Sequence, residues 1–136
     1  MRVGLGLLVL SPVLLVLGCG GGGPTLAPVS GRVLVDDKAV EGVRVTFAPI
    51  GQDGQPDYRQ ESYGTTDASG AFTLRSVKDN REGAVVGKHL VKFNLIDREA
   101  KPMEQLPARF NTGSKLEVEV PAGGLKDQPP YKVSRK

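Results

Sequence analysis

The chain has 136 residues, enough for one ordinary domain and too few for two, and at this size roughly two-thirds of the unfolded surface is buried without metal or disulfide staples. Lys and Arg number 18 against 15 Asp and Glu, but Arg2, Arg135 and Lys136 sit at the extreme ends, the other charges alternate in sign, and no basic stripe with interleaved aromatics marks a nucleic-acid surface. With no Trp, three Tyr and four Phe, flat stacking platforms are scarce.

The first thirty residues are the most specific. Met1 and Arg2 make a minimal positive start, and Val3 to Leu17 carry no charge, interrupted only by Gly4, Gly6, Ser11 and Pro12. A run of about 15 residues fits the apolar region of an export signal and falls short of the ~20 that span a bilayer. Extending the uncharged run to Gly23 gives the competing reading, a retained membrane helix, although Gly20 to Gly23 each lose about 1 kcal/mol relative to Ala in a helix. The single cysteine, Cys19, stands at the end of this run. It has no intrachain partner, so it pairs with another chain, stays free or is modified.

The stretch Val16-Leu17-Gly18-Cys19 resembles a bacterial lipobox, with Gly18 at the small position and Val16 at the apolar one; Leu17 stands where Ala or Ser is usual. The resemblance implies a lipoprotein signal peptide at 1–18, lipidation of Cys19 with palmitate-type chains, a Gly/Pro-rich tether at 19–28 and a folded domain at 29–136. One acyl chain anchors only marginally, at about 0.8 kcal/mol per buried methylene, whereas the two or three of a mature lipoprotein hold firmly. Gly20 occupies the place where an aspartate would favour the inner membrane, so the resemblance favours outer-membrane delivery in the cell envelope.

From Val29 onward the dominant period is two. Val29, Gly31, Val33 and Val35 share one face, and after a polar turn at Asp36, Asp37 and Lys38 the set Val43, Val45 and Phe47 does the same, with Arg44 and Thr46 facing outward. Residues 50–64, rich in Gly and Pro breakers, read as a loop or a loop with an edge strand around Tyr58 to Tyr63. Asp67 to Gly70 read as a tight turn before a strand with Phe72 and Leu74 inward. Further on, Val91, Phe93 and Leu95 alternate with Leu90, Lys92 and Asn94, and Leu116, Val118 and Val120 with Glu117 and Glu119. No window after the signal sustains a helical period, so the expected fold is an all-β sandwich.

These blocks, VSGRVLVDDKAVEGVRVTF, TTDASGAFTL, VVGKHLVKF and LPARFNTGSKLEVEVPAGG, resemble in type and order those of planctomycete-type envelope lipoproteins with a carboxypeptidase regulatory-like domain. The resemblance covers about 29–124 and implies a transthyretin-like (prealbumin-like) Greek-key β-sandwich of about seven strands, preceded by a signal helix. Three departures stand out. Asp37 replaces the usual turn glycine and is expected to take the left-handed conformation; His89 stands where tyrosine is common; and the Pro-interrupted tail leaves only a short last strand at Tyr131 and Val133.

Catalytic and metal chemistry find little here. His89 is the only histidine and shares a face with Val91 and Phe93. It reads as a partly buried ring at the sandwich edge rather than a base or ligand, since zinc takes three or four protein ligands. There is no Gly-x-Ser-x-Gly elbow, and Asp36 and Asp37 lack the spacing of a calcium loop. Hydroxyisourate hydrolases share the implied fold, but of their C-terminal Tyr-Arg-Gly-Ser only Tyr131 and Ser134 are matched, and their second histidine is missing. An isopeptide bond between Lys92 and an asparagine such as Asn94 is disfavoured because both face outward with the charges. No cofactor and no nucleic-acid partner are expected. The reading is a non-enzymatic binding or structural module held at a membrane, docking an envelope protein through a sheet edge or the loop from Ile50 to Gly64. The alternative is a carbohydrate-binding module of the envelope, favoured if Tyr58 and Tyr63 cluster on one exposed face.

Overall fold

Strand-forming valines alternating with polar residues produce an all-β body in the computed structural model, which describes residues 24–96 and 106–136. In chain order the strands are β1 (Leu26–Ala27), β2 (Ser30–Val35), β3 (Lys38–Ala39), β4 (Val43–Pro49), β5 (Ser62–Thr65), β6 (Ala71–Thr73), β7 (Arg75–Ser76), β8 (Ala84–Val85), β9 (Gly87–Leu95), β10 (Glu117–Val120) and β11 (Tyr131–Val133). Two short 3-10 turns, Tyr58–Gln60 and Ala108–Phe110, are the helical pieces among the described residues, and no helix there is long and apolar enough to cross a membrane. The expected signal peptide, Cys19 and the first half of the expected tether, to residue 23, lie outside the described residues.

The strands form a five-stranded sheet in the order β10-β9-β4-β5-β7, a second sheet in which β2 is flanked by β11, β3 and β6, and a small β1-β8 pair. Valines and phenylalanines from both larger sheets meet in one core: Val33 and Val35 from β2, Phe72 from β6, Val43, Val45 and Phe47 from β4, Val91 and Phe93 from β9, and Val120 and Val133 from β10 and β11. This arrangement is consistent with a β-sandwich.

The strand segments outnumber the seven expected because single runs bend and change partners. The run from Ala71 to Ser76 pairs with β2 as β6, turns at the buried Leu74, and pairs with β5 as β7. Strands that switch sheets in this way make the corners of packed sheets. Here β5 and β6 pass so close that a methyl built at Gly64 would collide with the backbone carbonyl oxygen of Thr73.

The turns follow their residues. Asp67 ends its strand by accepting from the Ser69 and Ala71 amides (2.9 and 3.1 Å) and the Ser69 hydroxyl (2.6 Å), and Gly70 takes the positive φ that closes the turn. Between β2 and β3 both Asp36 and Asp37 are left-handed, at φ 50° and 64°, rather than Asp37 alone. Val35 pairs with Lys38, and a two-residue hairpin whose twist matches its strands needs positive φ at both central positions. Thr66 fastens the next turn. Its hydroxyl donates to Val40 O (2.6 Å) and accepts from Val43 N (2.9 Å).

Other expectations change for reasons of packing. Thr46 faces outward but is buried, as is Ala48, because residues of the 50–61 loop fold back over that face. Leu116 precedes β10 and is 39% exposed, while Val118 is half-buried and Val120 fully buried. The last strand is short, and it runs parallel to β2. Residues 58–63 are neither pure loop nor edge strand: a 3-10 turn at Tyr58–Gln60 leads into β5, which lies inside the sheet.

Candidate functional site

His89 sits in the middle of β9, between β10 and β4, with no exposed surface, so it belongs to the core rather than to an edge. Its Nε2 lies 2.6 Å from the Val85 carbonyl oxygen, which places the proton on that nitrogen; its Nδ1 is buried without a partner. The Phe47 ring packs 5.6 Å away. Burial lowers the pKa of the ring, against the opposing pull of the Val85 carbonyl. A base enclosed in this way has no substrate within reach.

A pH dependence follows. Unfolded imidazole titrates near pH ~6.5, while the folded ring holds its neutral form to lower pH. Between the two values the unfolded chain binds more protons, so stability falls as pH drops below ~6.5, by up to about 1.4 kcal/mol per pH unit. Chemical denaturation at pH 7 and pH 5 is expected to show this loss in the natural chain and a smaller one in His89→Phe; equal losses would assign the effect to other groups.

The outer face of the five-stranded sheet carries a second, exposed constellation. Alternation on β4 and β9 sends Arg44, Thr46, Lys92 and Asn94 outward, and on β5 it sends Tyr63 and Thr65 outward. Register places Lys92 and Tyr63 on either side of Thr46. Asp57 accepts from the Arg59 amide at 3.1 Å and starts the 3-10 turn, which folds Tyr58 back over β9 so that the Lys92 ammonium lies 4.2 Å from its ring centre. The Arg44 guanidinium lies 4.8 Å from the centre of the Tyr63 ring. Both rings keep an outer side, with Tyr58 46% and Tyr63 40% exposed.

The charges of this face are incompletely matched. Arg44 Nε is buried with no hydrogen-bond partner. Glu61 stands near both cations. Burial pushes its pKa up, and Lys92 and Arg44 hold it down in part. Asp57 is engaged by Arg59, Nε to Oδ1 3.1 Å, a contact that lowers its pKa mainly through the hydrogen bond. Beside Tyr58 the loop encloses an open hollow of about 460 Å³ lined by Asp53, Gln55, Asp57 and Arg59.

A third feature is an apolar cleft of about 430 Å³ floored by Phe93, Phe110, Leu116 and Tyr131, with Arg109 and Lys132 at its rim. Its polar groups are already engaged. Arg109 donates to Ser134 Oγ (2.9 Å) and to Lys136 O, Lys132 pairs with Asp37 at 3.7 Å, and Tyr131 donates to Gln128 at 2.7 Å.

Of the residues singled out from sequence, Tyr58 and Tyr63 are brought together on one exposed face, while His89 is taken into the core. Tyr131 lines the cleft and Ser134 bonds Arg109 at its rim, and Lys92 is turned toward Tyr58 with Thr46 as its cross-strand neighbour. Cys19 lies outside the described residues. Among the described residues no group of three or more His, Cys, Asp or Glu could hold a metal ion. Sequence reasoning missed Arg44 and Lys92 as the cations beneath the tyrosines. Their outward facing was legible, but which ring each one meets depends on strand pairing. No protein-family model matches the chain, and comparison with curated proteins and with solved structures gave no match.

Proposed function

We propose that this chain is a lipid-anchored protein of the bacterial cell envelope whose folded part is a non-enzymatic binding module of the transthyretin-like, carboxypeptidase regulatory-like kind. The observation that carries this reading is the order of parts along the chain: a charged start, an uncharged run, Val16-Leu17-Gly18-Cys19, a glycine leash, and then an all-β body beginning at Leu26. Acyl chains on Cys19 would hold the module at the membrane, more readily the outer one given Gly20, and the Gly and Pro residues after it would let the body stand off from the headgroups. The enclosure of the only histidine and the exposure of a constructed polar and aromatic face both favour recognition over catalysis.

Mass spectrometry of the natively produced protein tests the anchoring directly. The expected species is a chain that begins at Cys19 and carries added lipid mass; a chain beginning at Met1 with a free thiol would overturn the reading. Two partner classes fit a module of this kind, an envelope protein and an envelope glycan. The pairing of Tyr58 and Tyr63 on one exposed face favours the glycan.

A further inference from the structure

We propose that the outer face of the five-stranded sheet, centred on Tyr58 and Tyr63, is a binding site for an acidic glycan. The proposal deepens the binding-module reading and rests on it. Three independent features converge there.

The first is a pair of fixed aromatic surfaces. In a chain with only three tyrosines and no tryptophan, two of the tyrosines are held on one sheet face, each with a cation against its ring at 4.2 and 4.8 Å. Because Tyr63 is anchored on β5 and Tyr58 is set by the Asp57-capped turn, little side-chain freedom remains to be lost on binding. Sugar rings present apolar C–H faces, and a flat ring with one side fixed and the other in water is the complementary surface.

The second is the polar hollow beside Tyr58. Asp53, Gln55 and Asp57 contribute carboxylate and amide groups around a space of about 460 Å³, within the range of small-ligand sites. Planar acceptors and donors of this sort match the paired hydroxyls of a sugar.

The third is charge. Arg44, Lys92 and Arg75 face outward on neighbouring strands against Glu61, and one donor of Arg44, its Nε, is buried with nothing to bond. A carboxylate on the ligand that reaches past the edges of the rings would meet the positive field of Arg44, Lys92 and Arg75.

The test uses the full chain held in nanodiscs of neutral lipid, titrated with purified uronic-acid polysaccharide, a neutral polysaccharide of similar length, and soluble glycerol phosphate as an anionic headgroup. Binding of the acidic polysaccharide, weakened by added salt and tighter than that of the neutral one, is expected. Tyr58→Ala with Tyr63→Ala should weaken it roughly tenfold or more, whereas the two Tyr→Phe changes, which keep the rings, should retain it. Thermal unfolding of each variant separates lost binding from lost fold. Equal binding by the Ala variants would overturn the site while leaving the module reading intact. Preference for glycerol phosphate, or equal binding of the neutral and acidic polysaccharides, would overturn the ligand class. Binding to none of these would overturn the glycan site and leave an envelope protein as the module's partner.

Discussion

Replacing Phe47 by alanine is expected to lower the free energy of unfolding by about 3–5 kcal/mol, the usual cost of emptying a buried aromatic site. Phe47 is fully buried in β4, the strand flanked by β9 and β5 in the larger sheet, and it packs against His89. Its loss would leave a void in the side-chain core beside the His89 ring. Against the 5–15 kcal/mol that stabilises an ordinary domain, such a loss is a large fraction. Urea unfolding followed by tyrosine fluorescence should show the midpoint fall with an unchanged slope. Val77→Ala, at a position 45% exposed, should stay within about 0.5 kcal/mol and serves as the comparison. A Phe47→Ala chain as stable as that control would mean that this core is not the one described.

A second large effect is expected from the smallest of side-chain additions. Gly64→Ala places a methyl against the Thr73 carbonyl, and both neighbours are backbone. Either the corner between β5 and β6 opens or the methyl is compressed, at about 1–3 kcal/mol or more. This outweighs the ~0.4–1 kcal/mol that alanine usually contributes by restricting the unfolded chain. Gly54 offers the contrast, since at φ +77° it has nothing within 4 Å of a built methyl. Gly54→Ala therefore costs backbone strain alone, about 1–2 kcal/mol. A stabilising Gly64→Ala in thermal unfolding would contradict the close approach.

Much of the core could be read from period-two alternation. Val33, Val35, Val43, Val45, Phe47, Phe72, Leu74, Val91, Phe93 and Val120 point inward by sequence and are buried. Alternation gives the facing of a side chain along its own strand but says nothing of which strand lies beside it. For that reason the sequence left open that β11 joins β2 in parallel and that the 71–76 run divides between two sheets. It also placed His89 near an edge, where only the neighbouring β10 and β4 decide that the ring is enclosed. Thr46 and Ala48 are buried by a loop, and loops cover what their own turn residues direct, here through the cap that Asp57 provides. The candidate site was half legible. The tyrosines stood out by their rarity, whereas the cations under them belong to other strands and came into view only through the register at Thr46.

The pairing of β11 with β2 bears on the timing of folding. Gln128 and Ser30, which bond beside this pair, are 98 residues apart, so β2 gains β11, its third neighbour after β3 and β6, only once nearly the entire domain has been delivered. Contacts of such long range are slow to form. A chain emerging start-first from a ribosome would thus complete this sheet only when the segment at 131–133 arrived.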